Sequence, residues 1–160
     1  MALPFVVASV WRLFCGYRQF GQARMQLSSW PIPRGEAVII HYQQPLKQPL
    51  IIHSVRATLI CYEVVRRSVS DLTIDEAKAG ALLTTRKQLL QVPLVREPLD
   101  EASQETQPEQ LLQRSWRFTI PANAPATATI NRKRYEWMVL ITPHLPKQQH
   151  QPERFILLVV

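Results

Sequence analysis

Residues 115–120 read Ser-Trp-Arg-Phe-Thr-Ile, residues 121–125 read Pro-Ala-Asn-Ala-Pro, and residues 132–142 read Arg-Lys-Arg-Tyr-Glu-Trp-Met-Val-Leu-Ile-Thr. In the first stretch Trp116, Phe118 and Ile120 alternate with Ser115, Arg117 and Thr119. In the last, Tyr135, Trp137, Val139 and Ile141 share one face, and Arg134, Glu136, Met138 and Leu140 share the other. A period of two with one apolar face is the signature of a strand that covers a core. The prolines between them end the first strand, because they fix φ and remove amide donors. At this spacing Trp116, Phe118, Tyr135 and Trp137 are expected as core rather than as an aromatic binding platform, together with Leu59 and Val139.

Working outward, the same alternation recurs upstream. Arg24–Ser29 predicts a short strand with Met25 and Leu27 on one face, and Trp30–Gly35 a Pro/Gly turn. Ala37–Gln43 predicts a second strand, bounded by a loop at Pro45 and Pro49. Leu50–Arg66 is the longest run, with His53, Val55, Ala57, Leu59 and Cys61 on one face. Ser68–Gly80 reads as a polar connection. Ala81–Val95 is ambiguous between strand and helix and is taken as a strand. Glu97–Gln110 carries five of the twelve acids and almost nothing apolar, which predicts a flexible loop near 97–110. Pro143–Gln151 reads as a loop and Arg154–Val160 as a closing strand. Seven strands joined by Pro-rich turns in a 160-residue chain predict an all-β fold, a single antiparallel β-sandwich of the immunoglobulin-like kind over residues 22–160.

Charge is unevenly placed. The net charge is +7, of which residues 1–35, with Arg12, Arg18, Arg24, Arg34 and no acid, supply +4. Ala2–Phe20 is apolar and aromatic but interrupted by Arg12, and is shorter than the roughly 20 mostly apolar residues of a bilayer span. It also lacks the charged leader and cleavage site of a secretory signal. Three readings stay open for residues 1–21: the end of a membrane helix that begins upstream, an interfacial helix with its arginines snorkelling, or a helix packed on its own domain. The first two make the chain membrane-associated. The arginines that follow the apolar run then place the domain on the cytoplasmic side. Arg12, Arg18, Arg24, Arg132, Lys133 and Arg134 are the candidate contacts for an anionic partner or lipid.

Chemistry-bearing patterns are sparse. His41, His53, His144 and His150 lack metal-ligand spacing, and no Ser or Cys sits in a nucleophile motif. His53 is expected in or along the sheet, and His144 and His150 in a solvated loop. Cys15 and Cys61 form no CxxC, and Cys61 reads as a small buried hydrophobe. No cofactor or metal is expected, and no catalysis. The basic runs Arg66-Arg67, Arg86-Lys87 and Arg132-Lys133-Arg134 are each short, which disfavours nucleic acid as a partner. The residues favour a non-catalytic interaction or scaffold module that binds another protein and a membrane surface. The alternative is a soluble β-domain subunit of a larger assembly, including a nucleic-acid complex.

The stretch Trp116–Thr127, followed by Arg134–Leu140, resembles the arrestin-like sandwich. There a strand ends in an F-x-(I/L)-P-x-x-x-P-(x)-(S/T) turn, and Phe118, Ile120, Pro121, Pro125 and Thr127 occupy those places. The layout is similar to uncharacterised bacterial membrane proteins that carry such a domain after membrane helices. The resemblance covers residues 22–160, with its motif in the last third. It implies a non-catalytic adaptor that binds through sheet edges and loops. The chain has room for one sandwich and no recognisable polar-core or receptor-binding motif, so the resemblance implies a fold and a non-enzymatic class but no partner.

Overall fold

The computed structural model describes residues 19–68, 70, 72–75, 84–96, 108–146, 148–149 and 152–160. Most of the expected N-terminal segment, including Arg12, Cys15 and Arg18, lies outside them, as do His150 and most of the acidic loop. Among the described residues no helix is long and apolar enough to cross a membrane.

Among the described residues ten strands form two antiparallel sheets packed as a sandwich. They are β1 (Arg24–Leu27), β2 (Ala37–Leu50), β3 (Ser54–Arg66), β4 (Thr84–Pro93), β5 (Val95–Arg96), β6 (Glu109–Thr119), β7 (Thr129–Ile130), β8 (Lys133–Leu145), β9 (Gln148–Gln149) and β10 (Glu153–Leu157). One sheet has the order β1-β2-β6-β5. The other has β10-β8-β3-β4, with β7 and β9 paired to β8. Inward rows from both sheets make one core: Val38, Ile40 and Tyr42 of β2, Leu112, Trp116 and Phe118 of β6, Ala57, Leu59 and Cys61 of β3, and Trp137, Val139 and Ile141 of β8. Burying such rows between two sheets is the main source of stability in a sandwich. Of the six expected core residues, Tyr135 alone is half-buried; its hydroxyl reaches Glu63 Oε2 at 3.4 Å.

Several boundaries move, for physical reasons. β2 runs through Pro45 rather than ending before it. Pro45 turns its carbonyl to the Gly21 amide (2.7 Å), so its missing N–H also falls on that side, away from the β2–β6 ladder. Pro49 falls where the register shifts between Pro45 and Leu50. The expected strand 81–95 divides at Leu94, whose amide donates to the Ala57 carbonyl, and Val95–Arg96 then joins the opposite sheet. β6 begins at Glu109, inside the expected loop, where Glu109 pairs with Leu50 of β2; the inward Arg114 breaks the apolar alternation that would have shown it. β8 extends through His144, so that residue is half-buried in a strand and not in a solvated loop. His53 lies just before β3, exposed, rather than in the sheet. After Leu157 the chain leaves the β10–β8 ladder, and Val159 bridges Ile32 in parallel.

Candidate anion-docking end of the six-stranded sheet

The proline-rich turn after β6 sets the position of β8. The Pro121 carbonyl accepts from the Ala124 amide (2.9 Å), closing the turn. The Pro125 carbonyl accepts from Trp137 Nε1 (2.8 Å), and Thr127 bonds the Val159 and Leu157 backbone through its amide and hydroxyl. The motif that carries the sequence resemblance therefore ties β6, β8 and the C-terminal stretch together.

Beyond Trp137 the six-stranded sheet continues, and there its register gathers three separated basic runs. Lys133 pairs with Val65 and Arg134 with Val64 on one side of β3. Arg86 pairs with Val64 and Lys87 with Glu63 on the other. The Arg66 amide donates to the Arg132 carbonyl (3.2 Å). Arg66, Arg67, Arg86, Lys87, Arg132, Lys133 and Arg134 thus meet at one end of the sheet. All but the half-buried Arg67 are exposed. Within the paired strands Glu63 and Glu136 stand among these seven cations, and the connection after β3 carries Asp71, Asp75 and Glu76 in sequence.

Glu63 and Glu136 organise this end. Glu136 accepts from both Arg86 and Arg134. Its burial would push the carboxyl up, but hydrogen bonds and charge from the two guanidiniums outweigh burial and hold it below the usual carboxylate range. Arg86 also stacks on Tyr62, its Cζ 5.0 Å from the ring centroid. The stems of Arg86 and Arg134 flank Val64, which is buried although it points away from the core. Glu63 Oε2 lies 3.5 Å from Lys133 Nζ. The end is therefore a held array rather than loose side chains.

The candidate contacts do not form one site. Arg132, Lys133 and Arg134 belong to the basic end. Arg24 is exposed on β1 opposite Gln43, in the other sheet and at the other end of the sandwich. That far end is located by Gln44, whose Nε2 reaches Glu153 Oε1 (3.4 Å) and the Gly21 carbonyl (3.1 Å). Glu153 pairs with Ile141, eight residues along β8 from Lys133, or about 27 Å at the strand rise. The sequence view weighed Arg66-Arg67 and Arg86-Lys87 singly as short runs; only the β3–β4 and β3–β8 registers show that they adjoin the third. Of the histidines, His41 faces out from β2 with Nδ1 2.8 Å from Ser115 Oγ, and the His53 amide donates to the His144 carbonyl.

No protein-family model matches the chain, and no curated protein matches its sequence. Among solved structures it is similar to Spo0M, the sporulation control protein from Bacillus subtilis, at 14% identity and a TM-score of 0.52. The match covers 88% of this chain and 49% of Spo0M, so the chain spans about half of that protein's length. The Pseudomonas fluorescens alkylpurine DNA glycosylase AlkC, in a complex with abasic-site DNA, aligns at 10% identity over 86% of this chain and 30% of that one, with a TM-score of 0.25 that carries no argument. Spo0M has an arrestin-like fold, and the sandwich of this chain is arrestin-like at the level of its coarse architecture.

Proposed function

We propose that the chain is a non-catalytic interaction module that associates with an anionic membrane surface through the basic end of its six-stranded sheet, leaving its other faces to a protein partner. The observation that carries this reading is the convergence of three basic runs at one end of the six-stranded sheet. Cations spread over three strands and a hairpin make a broad field, which suits a planar array of lipid phosphates better than one bidentate carboxylate. Each Lys or Arg near an anionic leaflet is worth about 1 kcal/mol at low ionic strength, and salt screens it. The apolar, basic residues 1–21 support the same reading. They include Phe20, which bridges Leu46 at the far end of the sandwich. A cytoplasmic placement follows from the arginines after the apolar run.

The test is flotation of the full chain with phosphatidylcholine vesicles, with and without phosphatidylglycerol. Binding to the anionic vesicles at low salt is expected, with loss at about 0.5 M salt and marked weakening in the Arg132→Glu/Lys133→Glu variant. A full chain that ignores anionic vesicles at low salt, or binding that this variant leaves unchanged, overturns the reading.

A further inference from the structure

The hairpin at the basic end carries an exposed apolar side chain beside its turn. β7 and β8 are joined by Asn131 and Arg132 alone, with φ of 48° and 64°. Two successive left-handed residues between paired Ile130 and Lys133 make a type I′ turn, whose twist matches that of the flanking strands. Asn tolerates this region well and Arg does not, so the hairpin holds a conformation that a loose loop would avoid. The bond from the Arg66 amide to the Arg132 carbonyl fastens the turn to the end of β3. The tip is therefore stiff, and it projects Ile130, 58% exposed, between Arg132 and its cross-strand partner Lys133.

A single exposed isoleucine needs no explanation on most surfaces. This one stands beside the turn of a fastened hairpin, two residues before Arg132 and opposite Lys133. A bilayer presents an anionic layer first and an apolar one behind it, the order in which this tip would meet them. We propose that the β7–β8 hairpin is the penetrating tip of the basic end: the cations settle on the headgroups and Ile130 enters the boundary between headgroups and acyl chains. This rests on the membrane reading above and adds its mode, insertion rather than surface adsorption.

The experiment uses the full chain with Ile130→Ser and Ile130→Trp on phosphatidylcholine/phosphatidylglycerol vesicles. Ile130→Ser is expected to keep salt-sensitive adsorption but to bind about tenfold more weakly, the worth of one aliphatic side chain moved out of water. Ile130→Trp is expected to bind at least as well as wild type and to show more quenching by brominated acyl chains than wild type shows. Both side chains are solvent-facing, and near-ultraviolet circular dichroism checks that the core is intact. If wild type binds but Ile130→Ser binds equally and Ile130→Trp gains no quenching, insertion is wrong and the membrane reading stands. If wild type does not bind anionic vesicles, both fall.

Discussion

Arg114 occupies an inward position in β6, in the row that also holds Leu112, Trp116 and Phe118, and it is 3% exposed. Its guanidinium donates to both carboxylate oxygens of Glu109, at 2.7 and 3.2 Å, and to the Gln113 carbonyl at 2.7 Å. Glu109→Ala removes the counter-charge and leaves a buried cation with one carbonyl partner. Breaking a buried pair on one side costs about 3–5 kcal/mol, because the remaining charge is neither solvated nor compensated. With a urea slope of about 2 kcal/mol per molar, the unfolding midpoint should fall by about 1.5–2.5 M. The double variant Glu109→Leu/Arg114→Met removes both charges at similar volume and should lie within about 1 kcal/mol of wild type. Urea unfolding followed by tryptophan fluorescence reads all three proteins. A loss below about 1 kcal/mol in Glu109→Ala would mean that Arg114 reaches water. A double variant as unstable as the single one would mean that the cost is lost packing, not a stranded charge.

Other outcomes follow from the same geometry. Trp137→Ala should cost about 3–5 kcal/mol, whereas Trp137→Phe, which keeps the ring but strands the Pro125 carbonyl, should cost about 1–2 kcal/mol; equal losses in chemical denaturation would discount the indole bond. Burial pushes the Cys61 thiol up to about 11, so in a Cys15→Ser background a thiol-reactive dye should label the native protein slowly at pH 8 and the denatured protein fast. Rapid native labelling would contradict that burial. Glu136 is held below its usual range, so its contribution is complete above the ordinary carboxylate pKa of about 4.3 and is lost as pH falls through the depressed folded value. Glu136→Gln should therefore flatten the acid limb of the melting temperature against pH, and an unchanged limb would refute the pairing. The same variant removes a carboxylate from the basic end and should tighten binding to anionic vesicles.

The fold was readable where side chains alternate cleanly. Trp116/Phe118 announced their strand because inward positions are apolar and outward ones polar, and Trp137/Val139 announced theirs because bulky inward residues recur at every second place. Pro45 hid the length of β2, since a proline reads as a break unless one knows that its missing amide faces away from the ladder. Arg114 hid the start of β6, since its charge is neutralised by Glu109, a partner that alternation does not reveal. The β4–β5 division depends on which sheet each half joins, a long-range matter that local pattern does not carry. The basic end was half-visible: Arg132, Lys133 and Arg134 could be singled out as one run. Their union with Arg66-Arg67 and Arg86-Lys87 depends on registers between strands far apart in sequence. Arg24 looked equivalent by charge alone, and only the sheet order places it at the opposite end.

The central claim is that three basic runs act as one surface. It is tested most directly by removing one charge from each run in the full chain, as Arg66→Gln, Lys87→Gln and Arg132→Gln, with Arg24→Gln from the far end beside them. Partition onto anionic vesicles is measured at low salt. At about 1 kcal/mol per cation, each of the three should weaken binding about fivefold and the triple variant about a hundredfold, while Arg24→Gln stays at the wild-type value. A triple variant that binds like wild type, or an Arg24→Gln loss as large as the others, would contradict a single basic docking end.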